Sequence, residues 1–306
     1  MVSPAGMRGG IIDVHTHPFS CPLGFFLEEM EAANLRSCVP LFSKRNPFDV
    51  DRIEVRQRIS GRLRGDLWSK RNQIFEGIRS YIGSLANPTN RQVAELAERH
   101  PGRFVPFGSV YMNGTEQELE RDLQEIAELG FKGLKLLPTL QLFNPSQSRN
   151  FEKVCEWCEQ KKTVIMYHTG CDPGPFEIPE VAEDANPKYL TPVLERYSPK
   201  IVLAHFGAYS AYNPGLWFDE ALRVAKRFPN VHADTSAVVD FVLRERNLRR
   251  IREEVGLDRL LFGTDYPVVA GSDIRSGIRA VRSSRFLSEE EKVMILEENP
   301  ARLLGV

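Results

Sequence analysis

The chain has 306 residues, and its 40 Lys or Arg against 41 Asp or Glu give a formal net charge of −1. A charge this balanced creates no long-range field that would collect nucleic acid or an anionic membrane, so we expect neither partner. No run approaches the roughly 20 apolar residues of a membrane span, and the first ten residues, MVSPAGMRGG, contain no apolar signal-peptide core. We therefore expect a cytoplasmic protein that acts on a small molecule.

Eight short apolar runs rich in β-branched residues follow one another along the chain and predict eight strands. In chain order they are GIIDVHTH, LRSCVPLF, RFVPFGSVYM, FKGLKLLP, TVIMYHTG, KIVLAHFG, NVHADTSA and RLLFGTDYP. Helical patterns separate them; one example is TEQELERDLQEIAELG, which opens with a capping-box pattern at Thr115 and ends at Gly130. Eight alternating β and α units favour an α/β fold closed into a (β/α)₈ TIM barrel, with residues 1–306 as a single domain. No G-x-G-x-x-G pattern follows the first strand, which argues against a dinucleotide-binding fold.

The longest interval between predicted strands lies between the second and the third and predicts a helical insertion at about residues 43–92. Within residues 43–82 there are ten Lys or Arg and five Asp or Glu, with apolar residues at helical spacing. The insertion could form a flap over the barrel mouth, a solvated helix pair or a subunit contact. Its Arg45 and Arg52 are candidate cations for an acidic substrate, although most Arg in so charged a segment are simply solvated.

Cys155 and Cys158 are the one close pair among five cysteines. The odd total and the lack of a second C-x-x-C argue against a disulfide framework and a zinc site. The pair lies in NFEKVCEWCEQKK, which has the apolar spacing of an amphipathic helix, so we predict two buried cysteines rather than a redox or metal pair.

Five potential metal or proton-transfer residues occur at the predicted strand ends. His15 and His17 alternate along the first strand and therefore project from one face. The fifth, sixth and eighth predicted strands end at His168, His205 and Asp265. Functional groups of a (β/α)₈ barrel cluster at the C-terminal ends of the strands, and imidazole with carboxylate suits Zn²⁺, with Mn²⁺ or Fe²⁺ as alternatives. The sequence thus predicts a metal centre at this rim.

The remaining two histidines lie elsewhere. His100 ends a predicted helix, where a cation is favourably placed, and His232 begins the seventh predicted strand, toward the barrel floor. We expect neither to reach the metal.

The motifs DVHTH, GFKGLKLLP, VIMYHTG, IVLAHFG and LLFGTDYP, in that order, resemble those of the amidohydrolase superfamily. The resemblance is to its amidohydrolase-related branch, which includes aminocarboxymuconate-semialdehyde decarboxylase, and it covers nearly the whole chain. It implies a single divalent metal ion held by His15, His17, His168 and Asp265, and a catalytic, non-ligating His205. Related barrels often form homodimers, which we also expect here.

Lys135 departs from the usual motif, because related sequences often read Lys-Leu-His-Pro where this chain has Leu137. Binuclear members of the superfamily carbamylate the strand-four lysine and use it as a bridging ligand. Alternatively, Lys135 stays unmodified and pairs with Asp13, which shares the inward parity of the H-x-H histidines. Asp13 could instead accept the second N–H of a ligand imidazole.

Two reactions are compatible with these residues. In a hydrolase acting on an amide, ester or lactone, the metal lowers the pKa of its bound water to about 7. Asp265 then takes a proton from that water, and His205 stabilises the oxyanion or moves a proton to the leaving group. In a decarboxylase acting on an aromatic or enol-type carboxylic acid, Asp265 or His205 controls protonation at carbon. The predicted ligands suit both reactions, whereas a fixed cation beside the metal would favour an acidic substrate.

Overall fold

A computed structural model describes residues 9–269 and 273–306, and it has eight short parallel strands at the places predicted from the sequence. The first eight residues, which include most of the segment analysed for a signal peptide, lie outside this description. The strands are β1 (Ile12–Thr16), β2 (Ser37–Pro40), β3 (Phe107–Gly108), β4 (Gly133–Leu136), β5 (Val164–Gly170), β6 (Ile201–Tyr209), β7 (Val231–Asp234) and β8 (Leu260–Leu261).

Backbone hydrogen bonds close these strands into a barrel. Strands β3 to β8 form one parallel sheet in chain order, and β1 pairs with β2 in parallel. The amide of Val14 donates to the carbonyl of Phe262 at 3.0 Å, which joins β1 to the segment after β8. On the other side, the amide of Cys38 donates to the carbonyl of Arg103 at 2.9 Å and joins β2 to the segment before β3. The (β/α)₈ barrel predicted from the alternating pattern is confirmed.

Helices surround the barrel and cover its mouth. They are α1 (Leu23–Ala32), α2 (Ile53–Ser60), α3 (Gly65–Ser69), α4 (Arg71–Ser84), α5 (Asn90–Arg99), α6 (Glu116–Glu128), α7 (Pro138–Gln141), α8 (Arg149–Lys161), α9 (Pro179–Ala182), α10 (Thr191–Leu194), α11 (Phe218–Arg227), α12 (Val239–Val242), α13 (Glu245–Glu254), α14 (Ile274–Ser283), α15 (Glu289–Val293) and α16 (Asn299–Leu304). The predicted capping box is present at Thr115 and Glu118, and Gly130 takes a positive φ just after α6. Cys155 and Cys158 are buried, unpaired residues of α8, as predicted. None of the helices within residues 9–269 and 273–306 is long and apolar enough to cross a membrane.

The insertion between β2 and β3 is helical, as predicted, and packs on the barrel mouth. Helices α2 and α4 each bury one apolar side. These sides form a cluster with residues of the segments that follow β4 and β5, among them Leu140 and Phe176. The carboxylate of Asp184 holds the insertion further, because it accepts hydrogen bonds from Arg58 Nε at 2.8 Å and Arg62 Nη2 at 2.5 Å. The insertion is therefore a fixed wall of the mouth.

Candidate metal centre and active site

A pocket of about 110 Å³ lies at the barrel mouth. All five residues predicted at the strand ends line it: His15, His17, His168, His205 and Asp265. Three of them do not lie at the last residue of a strand. Strand β5 continues two residues past His168, β6 continues past His205 through an irregular stretch, and Asp265 lies four residues after β8. The loops therefore contribute to their placement.

Two imidazole nitrogens and a carboxylate oxygen converge in the lining of the pocket. Asp265 Oδ1 lies 2.9 Å from His17 Nε2 and 3.3 Å from His15 Nε2. Ligand atoms bonded to one ion at about 2.0–2.2 Å are about 3.0–3.5 Å apart, so these separations fit a shared divalent metal. Burial opposes the ionised form of Asp265, but the neighbouring imidazoles of His15 and His17 hold the pKa of this carboxyl well below its usual range. This carboxylate is therefore ionised and able to bind a cation.

The surrounding backbone and side chains set the tautomers of the H-x-H histidines. His15 Nδ1 lies 2.9 Å from Asp234 Oδ2, and His17 Nδ1 lies 3.0 Å from the carbonyl oxygen of Leu41. Both acceptors require the proton on Nδ1, so each Nε2 is left with a lone pair. Burial lowers the pKa of His15 well below its usual range, which keeps that ring neutral. Both Nε2 atoms are thus suited to metal binding.

His168 is held by its other nitrogen. Its Nε2 lies 3.1 Å from both the carbonyl oxygen of Cys171 and Oδ2 of Asp172, so the proton belongs on Nε2 and the lone pair on Nδ1. Asp172 also accepts a hydrogen bond from the hydroxyl of Thr139, and burial raises its pKa to about 7. His168 lies outside the tight group formed by His15, His17 and Asp265. Its role as the fourth ligand stays a prediction.

His205 lies beside these rings, with its imidazole centroid 4.8 Å from those of both His15 and His168. Its Nδ1 lies 3.0 Å from the carbonyl oxygen of Ser236, so Nε2 carries the lone pair. Burial lowers the pKa of His205 to about 4, which keeps the ring neutral and ready to accept a proton. These features suit the predicted proton-transfer role.

Both predicted catalytic residues adopt a strained backbone. His205 has φ +61° and Asp265 has φ +66°, in the left-handed region. For a residue with a side chain this conformation costs about 1–2 kcal/mol, and strain of this kind is concentrated at functional sites.

The sequence-based alternatives for Asp13 were both wrong. Its carboxylate neither pairs with Lys135 nor touches a histidine ring. Instead Oδ1 accepts the amides of His15 at 3.0 Å and Thr264 at 3.1 Å, and Oδ2 accepts the hydroxyl of Thr264 at 2.5 Å. These donors from β1 and the segment after β8 occupy the carboxylate, so Asp13 fixes the position of that segment. The partner of the ligand imidazole is Asp234.

Lys135 has no acidic partner within ion-pairing distance among the described residues. It is 1% exposed, and its Nζ lies 3.2 Å from His15 Nε2, the nitrogen that faces Asp265. Burial lowers its pKa to about 8, so the ammonium form still predominates at neutral pH. A fixed cation therefore lies directly beside the candidate metal ligands.

The insertion places one of its two candidate cations in the pocket. Arg45 lines the pocket wall and is 8% exposed. Arg52 instead pairs with Glu54 on the surface and borders a different groove.

The remaining histidines are remote, as predicted. His100 follows the last residue of α5, and His232 lies at the start of β7. Neither lines the pocket.

Sequence reasoning missed Asp234 and Asp172. Asp234 ends β7, so the criterion that selected the strand-end histidines would have found it as well. Asp172 lies in the irregular segment after β5, where no periodic pattern marks its position.

Comparison with known proteins identifies the family of the chain. Residues 12–306 match the family profile Amidohydro_2, described as amidohydrolase. A 2-amino-3-carboxymuconate-6-semialdehyde decarboxylase from Dictyostelium discoideum is 24% identical over 261 residues, which cover 72% of this chain and 67% of that protein.

Two solved structures share the fold at low sequence identity. A probable 2-pyrone-4,6-dicarboxylic acid hydrolase from Acinetobacter baumannii has TM-score 0.61 and 17% identity, with 97% of this chain and 100% of that chain covered. A 2,6-dihydroxybenzoate decarboxylase from Rhizobium has TM-score 0.59 and 15% identity, with 97% and 99% covered. The fold and the pocket define a barrel enzyme with a candidate His/Asp metal centre, and the chain belongs to the amidohydrolase family.

Proposed function

We propose that the protein is a metal-dependent decarboxylase of a small aromatic or enol-type carboxylic acid. The observation that carries the proposal is Lys135, whose buried ammonium lies 3.2 Å from a candidate metal ligand. No acidic side chain in the described part of the chain lies within ion-pairing distance of it. A buried unpaired cation is costly, and an anionic substrate group would compensate it. The decarboxylase relative from Dictyostelium discoideum supports the same reaction.

In this proposal His15, His17, His168 and Asp265 hold one divalent ion, with zinc first and manganese or iron as alternatives. The ion would bind the substrate's oxygen atoms and neutralise their negative charge. Lys135 donates to the lone pair of His15 Nε2 in this structure. A metal ion can therefore bind this nitrogen only when the ammonium has moved away from it. The released ammonium remains beside the metal ligands as a donor for the substrate.

The chain's own proton-transfer group is His205. It is neutral at rest, and its Nε2 can take up a proton and deliver it to the carbon that carries the carboxylate. The carbon–carbon bond to that carboxylate then breaks, its electron pair returns to the unsaturated body of the substrate, and carbon dioxide leaves. One proton is consumed for each carbon dioxide released.

Hydrolysis of an amide, ester or lactone is the second candidate. The observation that favours it is the position of Asp265, whose Oδ1 lies within 3.3 Å of both H-x-H Nε2 atoms. If these residues held a metal ion, the ion would acidify its bound water, and Asp265 would be placed to take the proton.

The two candidates differ in their products. Metal-reconstituted protein is incubated with hydroxybenzoates and enol-type acids, assayed for carbon dioxide, and with lactones, esters and amides, assayed for released acid. We expect carbon dioxide release, reduced about 100-fold or more in Lys135→Met, with the metal content of the variant measured in parallel. Acid release without carbon dioxide would establish the hydrolase instead. A full-rate Lys135→Met decarboxylase would remove the observation on which the proposal rests.

A further inference from the structure

Arg45 is a buried guanidinium with only neutral partners. Its Nη1 donates to the carbonyl oxygen of Ser43 at 2.8 Å and to the Ser43 hydroxyl at 3.2 Å, and its Nη2 donates to the carbonyl oxygen of Ala86 at 2.5 Å. Its Nε has no hydrogen-bond partner and is shielded from solvent. No acidic side chain in residues 9–269 and 273–306 forms an ion pair with it. A charge that is 8% exposed therefore lacks a counter-ion.

The acid nearest to Arg45 in electrostatic terms is engaged elsewhere. Burial has the largest effect on the pKa of Arg45 and lowers it, whereas the charges of Tyr81 and Asp172 raise it. Asp172 is within hydrogen-bond distance of His168 and Thr139, so its carboxylate serves the metal side of the pocket.

Arg45 keeps donors that no described protein group uses. Three of the five N–H groups have partners, which leaves Nε–H and one N–H of Nη2. Because Nε is shielded from solvent, the free N–H of Nη2 is the donor that remains for a ligand. A hydrogen bond from a guanidinium to a carboxylate is charge-assisted and therefore strong.

The pocket gives a ligand at Arg45 a route to the metal ligands. Arg45 and Lys135 line the same pocket, together with apolar side chains that include Phe42, Leu137 and Leu140. A ligand that fills it meets cations of two different origins, one from β4 and one from the insertion, and apolar surface as well.

We propose that Arg45 forms a second carboxylate subsite, so that the substrate is a small unsaturated dicarboxylic acid. One carboxylate reacts at the metal ligands beside Lys135, and the other is held by Arg45. This inference rests on the proposed function for the reacting carboxylate, whereas the subsite itself is defined by binding.

The test is calorimetric titration of the metal-loaded protein with benzoate and with the three benzenedicarboxylates, whose carboxylates are separated by different distances. We expect at least one dicarboxylate to bind about tenfold or more tighter than benzoate. Arg45→Gln removes this preference and changes benzoate affinity by less than about twofold. Arg45→Lys, which keeps the charge without the planar guanidinium, retains part of the preference and serves if the Gln variant is unstable. Arg52→Gln, an insertion arginine on the surface, is the matched control and keeps the full preference.

Equal affinity of the wild-type protein for benzoate and all three dicarboxylates would overturn the subsite. So would a dicarboxylate preference that survives in Arg45→Gln. A wild-type preference that Arg45→Gln abolishes, in a protein that releases no carbon dioxide from any acid, would support the subsite and refute only the decarboxylase.

Discussion

Replacing Asp234 with Asn tests how the barrel sets the tautomer of His15. Asp234 is fully buried. Its Oδ1 accepts the amide of His205 at 2.8 Å, the amide of Ser236 at 3.1 Å and the hydroxyl of Ser236 at 2.5 Å, while its Oδ2 faces His15 Nδ1. An Asn carbonyl must therefore take the Oδ1 position, because an NH₂ group there would face two amide donors. The NH₂ group is then turned toward His15.

This orientation reverses the His15 tautomer. An NH₂ group that donates to Nδ1 leaves the proton of the neutral ring on Nε2, the nitrogen that faces Asp265. Loss of such a supporting hydrogen bond typically lowers metal affinity 10–100-fold, or by about 1.4–2.7 kcal/mol. We expect this loss in Asp234→Asn, measured by competition with a chromogenic chelator on protein whose fold is checked by circular dichroism.

Asp13→Asn is the matched control, because Asp13 is equally buried but touches no imidazole ring. Its Oδ1 keeps the two backbone donors as a carbonyl, and the Thr264 hydroxyl that faces Oδ2 can rotate to accept from the new NH₂ group. We expect wild-type metal affinity in this variant. Equal affinity in Asp234→Asn and Asp13→Asn would refute the tautomer argument.

Three further predictions concern proton transfer and stability. His205→Asn should keep its metal and lower turnover about 10²–10⁴-fold. It should also melt at a higher temperature than His205→Ala, because Asn tolerates φ +61° better than Ala does. The reverse order of melting temperatures would contradict the claim that the backbone of His205 is strained. Burial lowers the pKa of His232 from 6.5 to about 4, so the unfolded chain binds the extra proton between these values and stability falls as the pH falls through that window. His232→Gln should flatten the acid limb of a plot of melting temperature against pH, and an acid limb as steep as that of the wild type would contradict this prediction. Asn299 Nδ2 donates to the carbonyls of Leu257 and Leu260, each at 2.8 Å. Asn299→Ala removes this donor and should lower the free energy of unfolding in urea by about 1–3 kcal/mol without loss of metal. An unchanged urea midpoint would count against this prediction.

The barrel could be predicted from the sequence because each strand is a short apolar run with its own boundaries. The expectation that functional side chains cluster at the C-terminal ends of barrel strands likewise predicted that His15 and His205 lie together, and both line the same pocket. The alternation of side chains along β1 predicted that Asp13 points into the barrel, but it could not predict its hydrogen-bond partners. The donors that Asp13 meets depend on the segment after β8, which is distant in the sequence. Arg45 could not be separated from the other basic residues of the insertion either. Its guanidinium donates to the carbonyls of Ser43 and Ala86, and Ala86 is 41 residues away in the sequence, where no periodic pattern predicts the contact.

The most direct test of the account is the metal content of the purified protein, measured by elemental analysis beside His168→Ala and Asp265→Asn, with folding checked for each variant. We predict about one zinc, manganese or iron per wild-type chain and a strong loss in both variants. About two ions per chain would contradict a single-metal centre and assign Lys135 as a carbamylated bridging ligand. Wild-type protein that binds no metal after reconstitution would contradict the metal-dependent mechanism altogether.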